Sequence, residues 1–232
     1  MFMFKKSLDV PSKAEALPGR PNPIRTASNH FVNGHALKGP YPAGAETAIF
    51  GMGCFWGAEK MYWETEGVES TSVGYGGGVT ENPTYREVCT GQTGHAETVR
   101  VSYDPSIITI DEILRLFYEN HDPTQGMRQG NDVGTQYRTG VYYTDDKDLE
   151  VINQVFDEVA KKYDQPLAVE KENLKNFVVA EDYHQDYLKK NPNGYCHIDI
   201  TKADEPVIDE KDYPKPSDAE LKAKLTPLQY SV

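Results

Sequence analysis

Cysteine is scarce in this chain. Cys54, Cys89 and Cys196 are the three thiols in 232 residues, standing 35 and 107 positions apart. Such spacing makes no disulfide framework, no paired metal ligands and no Cys-x-x-Cys redox motif. A reducing, cytoplasmic setting fits so few thiols. Basic residues are also in the minority, 24 against 36 acids, for a net charge of −12. Nucleic acid and anionic membrane surfaces both select a basic patch, so neither is expected as a partner. No apolar run approaches the roughly 20 residues of a membrane span. The opening MFMFKKSLDVPSK has no apolar stretch behind its lysines, so no secretory signal is expected. There is no internal repeat, and the lack of coiled-coil heptads favours a monomer. What the chain does have is 38% hydrophobic and 11% aromatic residues, enough to bury a core of one generous domain or two small ones.

The charge is unevenly spread. Residues 1–45 are rich in Pro and Gly and carry six bases against two acids. They read as an N-terminal extension, an arm that wraps the rest or is partly disordered. Residues 202–232 read as a polar C-terminal tail, with seven acids against five lysines and one short helix capped by Ser217 and Glu220. Residues 46–201, left with about −14, form the expected core domain.

Within that domain, strands and helices alternate. Strand patterns cover Thr47–Met52, Glu69–Tyr75, Ala96–Tyr103, Tyr137–Tyr143 and Leu167–Glu170. Helical patterns cover Phe55–Glu66 with Gly67 as its stop, Ile110–Asn120 with Thr109 and Glu112 as a capping box, Asp146–Tyr163, and Ala180–Lys189. On the third helix Leu149, Ile152, Val155, Phe156 and Val159 make one apolar stripe. The pattern implies an α+β fold: a two-layer α/β sandwich with a mixed sheet and a ferredoxin-like core, flanked by the extended terminal segments. Loops 76–94 and 121–136 are too long for plain connections and are dense in Tyr, Asp, Gly and Gln, as a binding rim would be.

One stretch asks for a chemical explanation. GCFWG (residues 53–57) places a thiol between two glycines and two large aromatics, where a strand hands over to a helix. A helix N-terminus lowers a thiol pKa. Flanking glycines let a ligand approach the backbone. Phe55 and Trp56 can form an apolar wall. A buried core cysteine is the plainer reading of Cys54, since free Cys is among the most buried residue types. A thiol hydrolase would need a histidine base, and six histidines are available. A redox thiol would need a second cysteine to resolve it. Cys196, on the turn-rich NPNGYCHIDI, is the candidate, whereas Cys89 reads as structural.

The segments GCFWG, NPTYREVCTGQTGHAETVRVSYDP, HDPTQGMRQGNDVGTQYRTGVYY and NPNGYCHIDI together resemble the A-type peptide methionine sulfoxide reductases. LPGRPNPI and HFVNGHALKGPYPAG in the arm resemble the N-terminal extension of longer members. The resemblance implies reduction of the S-epimer of methionine sulfoxide. It implies that Cys54 is the nucleophile, that Glu97 is the acid, and that Tyr85 and Tyr137 hydrogen-bond the sulfoxide oxygen. Asp132 would help organise the site, and Phe55 and Trp56 would hold the substrate methyl. A carboxyl beside apolar rings should keep its proton near neutrality, so Glu97 is expected to be protonated before substrate arrives. Cys196 matches the first recycling cysteine, but no cysteine follows it, so the implied cycle closes on a Cys54–Cys196 disulfide. Thioredoxin is the implied external reductant and partner, oxidised proteins are the implied substrates, and no cofactor or metal is implied.

Two rivals remain open at this point, a Cys–His thiol hydrolase and a non-catalytic module that binds oxidised methionine. GMRQGNDVGT lacks the GK[ST] ending of a phosphate loop. His95, His121, His184 and His197 are expected as structural hydrogen-bonders.

Overall fold

The computed structural model describes residues 8–196 and residue 198. His197 and the expected Ser217/Glu220 helix in the tail lie outside the described residues. In chain order the elements are β1 (Glu46–Met52), α1 (Phe55–Trp63), β2 (Val68–Gly76), α2 (Tyr85–Val88), β3 (Ala96–Tyr103), α3 (Ile110–Glu119), β4 (Arg128–Gln129), β5 (Asp132–Val133), β6 (Thr139–Tyr143), α4 (Leu149–Ala160), β7 (Glu170–Asn173), β8 (Phe177–Val179) and α5 (Tyr187–Lys190). Six strands form one sheet in the order β7-β6-β1-β3-β2-β8, and β4 pairs with β5 in a small hairpin. Every neighbour pair in the large sheet is antiparallel except β6 with β7, so the fold is α+β with a mixed sheet.

Strand alternation selects the helix-facing side of that sheet. Ala48, Phe50 and Met52 of β1 join Val99, Val101 and Tyr103 of β3 in one core. Ala58, Met61 and Tyr62 of α1, Ile113, Leu114 and Phe117 of α3, and Ile152, Val155 and Val159 of α4 pack into the same core. Those helical positions recur at three- and four-residue steps, which put them on one stripe. Cross-strand register continues the same face toward the site: Val73 lies opposite Val99, and Tyr75 lies opposite Glu97. The arm lies against the sheet. Leu37 is buried, and its carbonyl accepts a hydrogen bond from the Arg100 guanidinium of β3, which also lies over the Tyr41 and Phe177 rings.

The capping box of α3 is present as expected, Thr109 accepting from the Glu112 N–H and Glu112 returning the bond. Several boundaries differ from the sequence pattern. The first helix ends at Trp63, and Gly67, at φ +88°, turns the chain into β2 four residues later. Tyr137 closes a single tight turn rather than opening a strand, because β6 starts at Thr139. The strand expected at Leu167–Glu170 runs instead over β7. The helix expected over Ala180–Lys189 shortens to α5, because Asp186 takes a left-handed φ of +54° and Gln185 turns its amide onto the β2 backbone at Val73. The NFVV run holds β8, an edge strand the pattern does not reveal. Among the described residues, no helix is long and apolar enough to cross a membrane.

Candidate functional site

Cys54 is the N-cap of α1, reached from β1 through Gly53 at φ +91°, a backbone angle that suits only glycine. The Cys54 side chain does not cap the helix. Glu97 takes that role from β3, its Oε2 accepting the Phe55 N–H at 3.2 Å. The carboxylate is thereby brought to the positive end of α1, at 1% exposure. The expectation that the helix end would depress the Cys54 pKa is overturned. Burial at 6% exposure pushes the thiol well above its ordinary range. The Glu97 charge adds to this, as do Asp132 and Cys196 to a smaller degree, and only the Trp56 N–H opposes them. Desolvation of the anion outweighs the helix dipole, so Cys54 rests as a thiol.

Two phenols and a second carboxylate surround this centre. Tyr85 opens α2, whose Thr84–Glu87 capping box fixes the turn on which it sits. Tyr137 lies in the tight turn before β6. Both hydroxyls are pushed up, first by burial and next by the Glu97 charge. Tyr85 also hydrogen-bonds Cys89, which places the third thiol on the flank of this group. Asp132, on β5, acts on Tyr137 and Cys54 and accepts a hydrogen bond from Tyr195 Oη at 3.0 Å. Tyr195 is the residue before Cys196, so this bond ties the second thiol's segment to the site.

Cys196 is half-buried, and its Sγ lies 3.1 Å from the Ile198 carbonyl oxygen. A Cβ on Gly57 would stand 2.9 Å from that sulfur. The second glycine of GCFWG therefore makes room for Cys196, while the first turns the strand into the helix. No disulfide joins Cys54, Cys89 or Cys196 here. A cleft of about 320 Å³, lined by Lys60, Trp63, Leu188, Pro192 and Gly194, opens onto Cys196.

The aromatic wall is larger than the sequence reading assumed. Phe55 is buried, and its ring centroid lies 6.4 Å from Trp56, 6.1 Å from Tyr75 and 5.1 Å from His184. Trp56 stacks on Tyr187 at 3.8 Å and donates its indole N–H to His184 Nδ1 at 3.1 Å. His184 packs on Tyr85 at 4.4 Å and is pushed down to about 4 by burial, so its ring is neutral at pH 7. Glu181 clasps the group from below, accepting from Tyr75 Oη at 2.6 Å and from the Tyr85 N–H at 2.9 Å. His184, Tyr187, Glu181 and Tyr195 were not picked out as site residues from sequence. For the first three the one signal is the cluster of Tyr and His in EDYHQDYL, which reads equally as a polar helix, and Tyr195 lies beside Cys196 in NPNGYCHIDI. His184 does hydrogen-bond as a structural histidine should, as do His95 to the Thr80 carbonyl and His121 to the Phe117 carbonyl.

A buried soft nucleophile, a carboxyl, two phenols and an aromatic wall can together hold a small group that is apolar at one end and accepts hydrogen bonds at the other. A family model described as peptide methionine sulfoxide reductase matches residues 46–215. The peptide methionine sulfoxide reductase MsrA of Brucella anthropi is 52% identical over 212 residues, covering 88% of this chain and 95% of that protein. MsrA 1 of Caulobacter vibrioides is 54% identical over 206 residues, covering 85% and 93%. The structure of methionine sulfoxide reductase A of Corynebacterium diphtheriae superposes with a TM-score of 0.73 at 43% identity, over 82% of this chain and 94% of that one. Mxr1 of Saccharomyces cerevisiae, in reduced form, superposes with a TM-score of 0.64 at 40% identity, over 67% and 91%. With a match of this length and identity, the chain belongs to the peptide methionine sulfoxide reductases, oxidoreductases that return methionine sulfoxide to methionine.

Proposed function

We propose that the chain reduces the S-epimer of methionine sulfoxide, protein-bound and free, through a sulfenic acid on Cys54 and a Cys54–Cys196 disulfide that thioredoxin reduces. The contact between Glu97 Oε2 and the Phe55 N–H carries the reading, because it holds an acid beside the nucleophile at the helix end. In the first step the Cys54 sulfur attacks the sulfoxide sulfur and the oxygen passes to it. Methionine leaves as the thioether, and Cys54 becomes Cys–SOH. The oxygen cannot depart as a bare oxide, so Glu97 donates a proton to it. The carboxylate left behind is the base that takes the Cys54 thiol proton. Tyr85 and Tyr137 donate hydrogen bonds to the same oxygen, Asp132 organises the rim, and Phe55 with Trp56 holds the methyl. Burial favours the protonated Glu97 from which this step starts, and the charge left on Glu97 after the transfer raises the pKa of Cys54, Tyr85 and Tyr137.

In the second step the Cys196 thiol attacks the sulfenic sulfur, expelling water and forming the disulfide. A dithiol then reduces that disulfide by exchange, and no bound cofactor is needed. The cleft beside Cys196 supports access by thioredoxin. The scarcity of cysteine supports a reducing, cytoplasmic compartment.

We read residues 46–201 as the catalytic domain of a monomer, residues 1–45 as an extension wrapped on it, and 202–232 as a polar tail. The central order β6-β1-β3-β2, with antiparallel neighbours and with α1 and α3 on its two crossovers, supports a ferredoxin-like two-layer sandwich.

Glu97→Gln tests the proton transfer. It keeps a hydrogen-bond donor but has no acidic proton, and methionine formation is expected to slow by roughly 10²–10³-fold. Turnover near the wild-type rate would remove Glu97 as the acid.

A further inference from the structure

Outside the thiol site, three side chains from distant segments meet in the interior. His30 comes from the arm, Glu59 from α1 and Asp186 from the turn before α5, and all three are buried. Each has one polar atom held by a neighbour. His30 Nε2 lies 2.7 Å from Thr71 Oγ1. Glu59 Oε2 accepts the Asp186 N–H at 2.8 Å. Asp186 Oδ2 accepts the Phe31 N–H at 2.9 Å.

One donor atom from each residue lies within 4.8 Å of the other two. Glu59 Oε1 and Asp186 Oδ1 are not already held, and His30 Nδ1 accepts the Val32 N–H. Both of these oxygens are buried and accept no hydrogen bond. His30 Nδ1 stands 2.9 Å from Asp186 Oδ1, and the Val32 N–H points at the same nitrogen from 3.1 Å. That approach assigns the lone pair to Nδ1 and the ring proton to Nε2, facing Thr71. Lone pairs on a nitrogen and two carboxylate oxygens therefore converge in a dry interior, where a proton or a cation compensates carboxylate charge.

We propose that His30 Nδ1, Glu59 and Asp186 bind one divalent transition-metal cation of the zinc class. Imidazole with carboxylates is a donor set for such ions. A dication cancels the two carboxylate charges. Three protein ligands leave a position for one water. The Thr71 hydroxyl and the two backbone N–H groups are the outer partners that orient metal ligands. The ion takes no part in the redox steps. It ties the arm to α1, whose N-cap is Cys54, and to the segment that carries His184.

The test is a cobalt(II) titration of the full chelator-stripped chain, with the metal added after folding and, separately, during refolding from urea. The expected result is one cobalt per chain, with d–d absorption, no thiolate charge-transfer band, displacement by zinc and a Tm raised by zinc. His30→Gln and Asp186→Asn should each abolish stoichiometric binding, and Thr71→Val should weaken it by roughly 10–100-fold. Failure of the wild-type chain to bind one equivalent by either route overturns the proposal, whether or not the variants fold. So does binding that shows a thiolate band or that survives both ligand substitutions.

Discussion

Gly57 shows how much one missing side chain does. It is interior to α1, where alanine would ordinarily favour the helix by about 1 kcal/mol. Here a Cβ would meet Cys196 Sγ at 2.9 Å and the Ile198 side chain at 3.3 Å. Gly57→Ala is therefore expected to leave the first release of methionine intact but to slow closure of the proposed disulfide by roughly 10–100-fold, the cost of a misplaced reacting group. Quenched single-turnover thiol counts would check this. Closure at the wild-type rate would show that Cys196 approaches Cys54 by a path that does not need this space. Residue-scale physics also sets the state of Cys54. The sequence places Cys54 at a helix end, and dipole reasoning alone makes it a thiolate. The structure adds burial, which reverses the sign, and the charge of an ionised Glu97 adds to it. Neither can be read from residues 53–57, because Glu97 reaches the helix from another strand.

At the scale of elements, local signatures were legible and tertiary ones were not. The box T-x-x-E announced α3 because an apolar, helix-periodic run follows it. The same box, Thr84 to Glu87, caps α2, but only four residues follow before the chain turns, so periodicity gives no warning. β8 and the short α5 were misread for a different reason. Their limits are set by partners far along the chain: the β2 edge for β8, and the Gln185 amide on Val73 for the turn before α5. The candidate site was legible where its residues sit in long motifs, and invisible at His184, Tyr187 and Glu181.

The segment leading into α5 carries its own pH dependence. His184 is held neutral by burial, with a pKa of about 4 against an ordinary value near 6.5. The unfolded chain therefore takes up a proton that the folded chain refuses. Stability is full above about pH 6.5 and falls as pH drops toward 4, by up to about 3 kcal/mol from this group. Urea unfolding of wild type and His184→Gln between pH 7 and pH 4 should show that extra slope in wild type alone. Equal slopes would show that His184 is solvated in solution.

On the scale of the whole molecule, the arm is part of the fold. Its composition suggested a wrap, but its anchors, Leu37 over the sheet and His30 on Thr71, could not be seen without tertiary contacts. Leu37 is fully buried, so Leu37→Ala should cost about 2–5 kcal/mol in urea unfolding of the full chain. A loss below about 0.5 kcal/mol, the size of an ordinary surface change, would mean the arm is only loosely held. The two proposed redox partners likewise come from opposite ends of the domain, Cys54 from its first crossover and Cys196 from near its end. The most direct test of the account counts free thiols on the reduced protein after addition of the S-epimer of methionine sulfoxide, with no reductant present. The account predicts a fall from the three thiols of the sequence to one, with Cys54 and Cys196 joined in the peptide map. A count that stays at three while methionine sulfoxide remains unreduced would contradict it.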